Sequence, residues 1–276
     1  MRAVARREMP AHPKLRATRA DLRSREARRA LEGADVVFHL GAALWRDRAG
    51  SDAGSVNIEG TRNVVAARPG LLVVASSAAV YGAWHDNPLP MDETHAPRPN
   101  AECLYASHKL AAEGVALDGA PTTVLRLAAV LGPAMDPQVA RAARGYRLAV
   151  PAVRGATQAL QFLHEDDATS ALVAAGGKPP AGIVNIATDD WLDAGELAAA
   201  ARSRVVRLPR RVALGAPEAA FRLRLAPAGA DRAIFLTGPM ALSSDRAASR
   251  LGWRAQLDSR RTIRDFLHGP QEPSTS

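Results

Sequence analysis

Leu71-Leu-Val-Val-Ala75 is apolar at every position and runs without a break into Ser76-Ser77. A strand with one wet face alternates apolar and polar side chains, so an unbroken apolar run marks a strand covered on both faces. Asp35-Val-Val-Phe-His-Leu40, closed by Gly41-Ala42-Ala43, reads the same way, as do Thr122 to Leu127 and Ile183-Val-Asn-Ile186. Ala3-Val4-Ala5 and Ala17 to Leu22 are shorter strand candidates, the second ending at Asp21. Helical segments fall between them: Arg25 to Glu32, stopped by Gly33, then Val56 to Ala67, then the segment from Tyr105 through Glu113. Buried strands alternating with helices predict an α/β chain with a doubly wound parallel sheet. Such sheets bind ligands beyond the carboxyl ends of their strands. Gly41, Ser77 and the segment after Leu127 are therefore expected to converge on one cleft.

Tyr105-Ala-Ser-His-Lys109 supplies the chemistry for that cleft. A tyrosine and a lysine four apart on a helix share a face. Lysine occurs only at Lys14, Lys109 and Lys178, while arginine carries nearly all the remaining positive charge, so a compact ammonium at this spacing stands out. A free phenol titrates near ~10, and a nearby ammonium favours its ionised form. Tyr105 is then a candidate proton donor and acceptor, Lys109 its tuning cation, and Ser77 a hydrogen-bonding partner for the substrate oxygen.

Composition narrows the alternatives. The chain has 276 residues, 47% of them hydrophobic and 23% charged, an ordinary globular balance. The single Cys103 excludes an internal disulfide framework and a cysteine-rich zinc site, and it fits a reducing compartment. No run approaches about 18 uninterrupted apolar residues, which argues against a membrane span. Met1-Arg-Ala-Val-Ala-Arg-Arg leads into no apolar signal core, so the expected location is cytoplasmic. The net charge of +8 is spread among acids without a basic run interleaved with aromatics, so nucleic acid is not the expected partner. Residues 134–160 and 190–240 lose strand alternation and read as a smaller, mainly helical lobe. The expected division is a first domain over 1–133, a substrate lobe over 134–268 with returns to the sheet at about 161–187, and a disordered tail over 269–276.

Together these segments resemble the extended short-chain dehydrogenase/reductase family, the group of NAD(P)-dependent epimerases and dehydratases. Asp21-Leu22-Arg23 is similar to its strand-end aspartate segment, and Val36-Val-Phe-His-Leu-Gly41-Ala42-Ala43 to the strand and small-residue turn beneath the cofactor. Asn57-Ile-Glu-Gly60-Thr61-Arg-Asn63-Val resembles the helix that follows, and Ser76-Ser77-Ala-Ala-Val-Tyr81-Gly82 the active-site serine strand. Leu125-Arg126-Leu-Ala-Ala-Val130-Leu-Gly132-Pro133, Phe162-Leu-His164-Glu-Asp166-Asp167 and Leu251-Gly252-Trp253 match later segments in order. The resemblance implies a Rossmann-like domain with Ser77, Tyr105 and Lys109 catalytic. It implies cofactor contacts at Arg6, Asp21, Leu22, Gly41, Ala42, Asn57, Ala75, Lys109 and Leu127. Ala5-Arg6-Arg7, with no acid before Glu8, implies NADP, with NAD the alternative. A nucleotide sugar is the implied substrate and a homodimer the implied assembly. Family dehydratases carry an acid pair directly after the catalytic Ser/Thr, where this chain has Ala78 and Ala79, so epimerisation through a transient ketone is expected rather than elimination. A ketone or steroid-like reductase and a non-catalytic binding relative remain alternatives.

One family feature has no counterpart. The family opens with a strand, a glycine-rich turn and a helix whose backbone N–H groups receive the cofactor pyrophosphate. The 21 glycines here form no GxG or GxxG. By the resemblance Met1 to Arg7 corresponds to the second strand, which leaves roughly thirty residues, one strand–turn–helix unit, unmatched. The expectation is a truncated or remnant Rossmann domain, N-terminally incomplete, that binds NAD(P) poorly by itself and is marginally stable.

Overall fold

The computed structural model describes residues 1–9, 11–43, 53–226 and 229–270. Its elements are β1 (Arg2–Ala5), β2 (Arg16–Arg19), α1 (Arg25–Leu31), β3 (Val36–His39), α2 (Ala53–Ala66), β4 (Leu71–Ser77), α3 (Leu104–Gly119), β5 (Thr122–Leu127) and β6 (Ala129–Leu131). There follow α4 (Pro137–Arg144), β7 (Val150–Val153), β8 (Phe162–His164), α5 (Glu165–Gly176), β9 (Gly182–Ile186), α6 (Ala194–Ala200) and β10 (Val205–Leu208). The chain closes with α7 (Arg210–Arg222), α8 (Ala230–Ala233), α9 (Asp245–Leu251) and α10 (Ser259–His268).

The central sheet is parallel, in the order β3-β4-β5-β9. Its unbroken apolar strands are covered on both faces. Val37, Leu72, Val74 and Val124 pack with Val64 of α2 and Ala116 of α3. Leu71, Val73, Leu125 and Val184 pack with Ala168, Ala171 and Ala175 of α5 on the other face. Each fully buried Val or Leu here stabilises the fold by about 1.5–3 kcal/mol. β4 ends at Ser77, which lies opposite Leu127 in the ladder, and His39 lies opposite Val74. The carboxyl ends of the strands therefore share one edge of the layer.

β1 and β2 form a separate parallel pair. Among the described residues, β1 has no ladder partner besides β2, and β3 none besides β4. A two-stranded pair held by one ladder is weakly stabilised. Amides of Ala3–Ala5 are therefore expected to exchange with solvent at least ~100-fold faster than those of Val73–Ala75, measured by hydrogen-exchange NMR or mass spectrometry. Equal protection would mean that the two sheets open as one unit.

Within residues 134–268, where mainly helical structure is expected, one parallel ladder forms between two short strands. β7 and β10 pair in parallel, Val150 opposite Val205 through Val153 opposite Leu208. Val150-Pro-Ala-Val153 and Val205-Val-Arg-Leu208 are four-residue runs, interrupted by proline and arginine, and too short to show a period. β6 and β8 pair as well, tying the segment after β5 to Phe162–His164. Of the expected disordered tail, residues 271–276 lie outside the described residues, while Gly269 ends α10 with a positive φ of 85°.

Candidate functional site

Ser77 is extended (φ −148°, ψ 145°), and its hydroxyl accepts a hydrogen bond from the Ala79 amide at 3.2 Å. That bond starts the 3₁₀ turn Ala78–Tyr81, which ends at Gly82 with φ 70°. A Cβ at Gly82 would lie 2.3 Å from the Arg98 carbonyl oxygen, so only glycine lets the chain turn here. Four residues into the turn, the Tyr81 hydroxyl donates to Asn185 Oδ1 at 2.9 Å and pins it to β9.

α3 carries Tyr105 and Lys109 on the side facing Ser77. The Ser77 hydroxyl lies near enough to the Tyr105 phenol to favour its ionised form. Lys109 is 7% exposed, and its Nζ donates to the Ala75 carbonyl at 2.6 Å, 6.0 Å from the Tyr105 ring centroid. Burial pushes Lys109 down to about 8, against the pull of Glu113 one turn further along α3. Burial also pushes the half-buried Tyr105 phenol up to about 12. The Arg232 charge and the nearby Ser77 hydroxyl oppose this, and Cys103 adds to it. The expected tuning of Tyr105 by Lys109 is thus modified. In this geometry the ammonium is seated on a backbone carbonyl, burial dominates, and Arg232 is foremost among the groups that draw the phenol down.

The other predicted cofactor residues form a second group along the same edge. Asn57 lies within α2, where its side-chain oxygen accepts from the Ala43 amide at 2.7 Å and its amide donates back to the Ala43 carbonyl at 3.2 Å. It thereby clamps the Gly41-Ala42-Ala43 turn. Leu22 packs over that turn, since a Cβ at Gly41 would meet its Cδ1 at 2.5 Å. Asn63 of α2 donates to the Leu22 and Ser24 carbonyls. Asp21 is held by both side-chain and backbone bonds from Arg23, which together with Arg6 take its carboxyl down to about 2. Arg6 follows β1, and its carbonyl accepts from Arg19 Nε at 3.2 Å.

Two motif residues prove to be architectural. His164 caps α5, its Nδ1 accepting from the Asp166 amide at 3.2 Å. Gly252 ends α9 in the left-handed region (φ 67°), and the buried Trp253 donates to Ser170 Oγ at 2.8 Å.

Behind Ser77 lies a buried charged network that was not expected. Arg126 and Glu113, each 2% exposed at the side chain, form an ion pair at 2.6 Å. Ser76 donates to Glu113, and the Arg126 guanidinium stacks 4.7 Å from the Tyr81 ring centroid. His39 is also buried, hydrogen-bonded to Thr61 at 2.9 Å, and burial and the Lys109 charge push it down to about 4. Glu113 was detectable as a carboxylate four residues after Lys109, and Arg126 as a charge inside an apolar strand. Arg232 carries no local signal.

No helix among the described residues is long and apolar enough to cross a membrane. The family model of the NAD-dependent epimerases/dehydratases matches residues 1–187. The uncharacterized protein Rv0501 of Mycobacterium tuberculosis is 31% identical over 189 residues, covering 63% of this chain and 50% of that protein. The uncharacterized protein y4nG of Sinorhizobium fredii is 29% identical over 262 residues, covering 88% of this chain and 65% of that protein. The chain spans about half the length of the mycobacterial relatives it matches. Among solved structures, MoeE5 in complex with UDP-glucuronic acid and NAD matches with a TM-score of 0.70 at 25% identity, over 95% of this chain and 87% of that one. A UDP-glucose 4-epimerase of Thermotoga maritima has the same fold, with a TM-score of 0.70 at 19% identity over 94% and 85%. With the parallel sheet, the serine strand and the tyrosine–lysine helix in place, the chain belongs to the NAD-dependent epimerase/dehydratase family.

Proposed function

We propose that this chain acts on a hydroxyl-bearing carbon of a nucleotide sugar as an NADP-using epimerase. The observation that carries the reading is the meeting of Ser77, Tyr105 and Lys109 at the carboxyl end of β4. The likeness to MoeE5, whose complex holds UDP-glucuronic acid and NAD, supports a sugar nucleotide and a nicotinamide dinucleotide.

The residues present fit the nicotinamide end of such a cofactor. Lys109 has three N–H donors and one carbonyl acceptor, Ala75, among the described residues, leaving donors for ribose hydroxyls. At the adenosine end, Arg6 and Arg19 bring cations to the tip of β1, while Arg23 occupies Asp21, an arrangement that suits a 2′-phosphate. The described residues offer no glycine-rich turn for the pyrophosphate. When bound, the nicotinamide would accept and return the hydrogen of the reacting carbon.

Tyr105 would take the hydroxyl proton as the carbon is oxidised and return it after the transient ketone presents its other face. Ser77 would hold the substrate oxygen against the phenol, and the Lys109 charge would favour the phenolate once its ammonium turns toward the ribose. Ala78 and Ala79 are 7% and 6% exposed, and neither provides an acid to expel a neighbouring hydroxyl.

The test incubates the full chain with UDP-glucuronic acid and UDP-glucose in the presence of NADP and follows the sugars by proton NMR. Expected is a stereoisomer formed without net change in cofactor redox state, with NADP bound about 10-fold more tightly than NAD and that preference lost in Arg6→Ala. Net oxidation of NADPH by a ketone would favour a reductase. No turnover with either cofactor would count against catalysis.

A further inference from the structure

The phenol that exchanges the proton is flanked by a second cation from a distant part of the chain. Arg232, on α8, places its guanidinium carbon 5.4 Å from the Tyr105 ring centroid, nearer than the 6.0 Å of Lys109 Nζ. This lies within cation–π range, and the planar guanidinium suits stacking on a ring.

The contact is built in by packing. Ile234, in the 3₁₀ turn that follows α8, is fully buried against Cys103 and Ala106 at the start of α3, with Tyr105, Leu214 and Phe235 around them. Thr237 ties the same turn to the serine strand's continuation, donating to the Ala83 carbonyl at 3.2 Å. Asp231 accepts from the Gly229 amide at 2.8 Å, and its other oxygen lies 3.9 Å from Arg232 Nε. The groups facing Tyr105 are therefore Lys109 from α3, Cys103 just before that helix, Ser77 from β4 and Arg232 from α8.

We propose that Arg232 is a positioning residue for the catalytic phenol, stacking on Tyr105 from the lobe and favouring its proton-accepting form. The reasoning is electrostatic. Lys109 is engaged by the Ala75 carbonyl, whereas a guanidinium over the ring face interacts more strongly with a phenolate than with a neutral phenol. Consistent with this, the Arg232 charge is the largest influence opposing the effect of burial on Tyr105. Because α8 follows the sheet and helices that carry Ser77 and Lys109, ionisation of the phenol depends on the lobe being docked against α3.

This inference rests on the proposed acid–base role of Tyr105, and its primary test needs no turnover. The chain holds 3 tyrosines, so ¹³Cζ-tyrosine labelling with Tyr105→Phe as the reference isolates the Tyr105 signal. Its ionised fraction is followed against pH in the wild type, Arg232→Met and Arg232→Lys. Expected is a titration moved upward by about one pH unit or more in Arg232→Met, a roughly tenfold smaller phenolate fraction at fixed pH, and an intermediate position for Arg232→Lys. If the sugar reaction is found, the acid limb of its pH–rate profile moves by the same interval, with rates recovering at high pH. An unmoved Tyr105 titration in Arg232→Met overturns the inference even where turnover persists. A moved titration without turnover sustains the inference and counts against the proposed reaction instead. Should Arg232→Met fail to fold, the Lys variant decides: a Tyr105 titration identical to wild type in that variant overturns the inference.

Discussion

Replacing Tyr105 with phenylalanine is expected to lower kcat by about 10²–10⁴-fold while leaving cofactor affinity and the circular dichroism spectrum unchanged. The ring survives, so the packing against Ala106 and Ile234 and the stack under Arg232 are retained. What is lost is the hydroxyl that faces Ser77 and, in the proposed reaction, would exchange the substrate proton. Ser77→Ala removes the neighbouring hydroxyl and is expected to cost less, since water can replace part of its contact with the substrate oxygen. Steady-state kinetics on both variants checks the ordering. A Tyr105→Phe protein with unaltered turnover would move the proton chemistry to another group, and a chain whose wild type has no turnover would be better read as a binding protein.

The largest stability effect is expected at Glu113. Glu113→Gln leaves the Arg126 guanidinium charged, desolvated and short of its carboxylate partner within the central sheet. Breaking one side of a buried ion pair costs about 3–5 kcal/mol, which in a chain of this size lowers Tm by roughly 10 °C. Ser76 then donates to a neutral amide oxygen in place of a carboxylate, and the residue after it is Ser77. The double change Glu113→Leu with Arg126→Met is expected to recover most of that loss, because apolar side chains of similar volume need no compensating charge. Thermal melts of the three variants provide the check. A Glu113→Gln protein with the wild-type Tm would show that water reaches Arg126.

The likeness of these two predictions ends at their origin in the sequence. Tyr105 was readable because four residues separate it from Lys109, and a spacing of four is a local property of any helix. The Glu113–Arg126 pair was only half readable. Glu113 continues the face of Lys109, but nothing local says that Arg126, one charge in the run Thr122–Leu127, points to α3 rather than to solvent. Its partner and its stacking on Tyr81 follow from how α3 and the turn after β4 are laid against the sheet. The bond from Tyr81 to Asn185, with 104 residues between them in sequence, is of the same kind.

Some motif residues also carry architecture. In Leu251-Gly252-Trp253, Gly252 ends a helix and Trp253 fills the core against Ser170. Asn57, expected near the cofactor, also clamps the Gly41–Ala43 turn from within α2, a partnership across 14 residues that no local pattern announces.

By itself the sequence determined the parallel layer, the termination of β4 at two serines and the shared face of Tyr105 and Lys109. Each is written in neighbouring residues, through burial on both faces of a strand or the pitch of a helix. Only the tertiary structure decided that Lys109 rests on Ala75, that Glu113 neutralises Arg126, that β7 pairs with β10, and that Arg232 covers the phenol. Those contacts join segments far apart in the chain, and their energy comes from desolvation and charge pairing that exist only once the layers have closed.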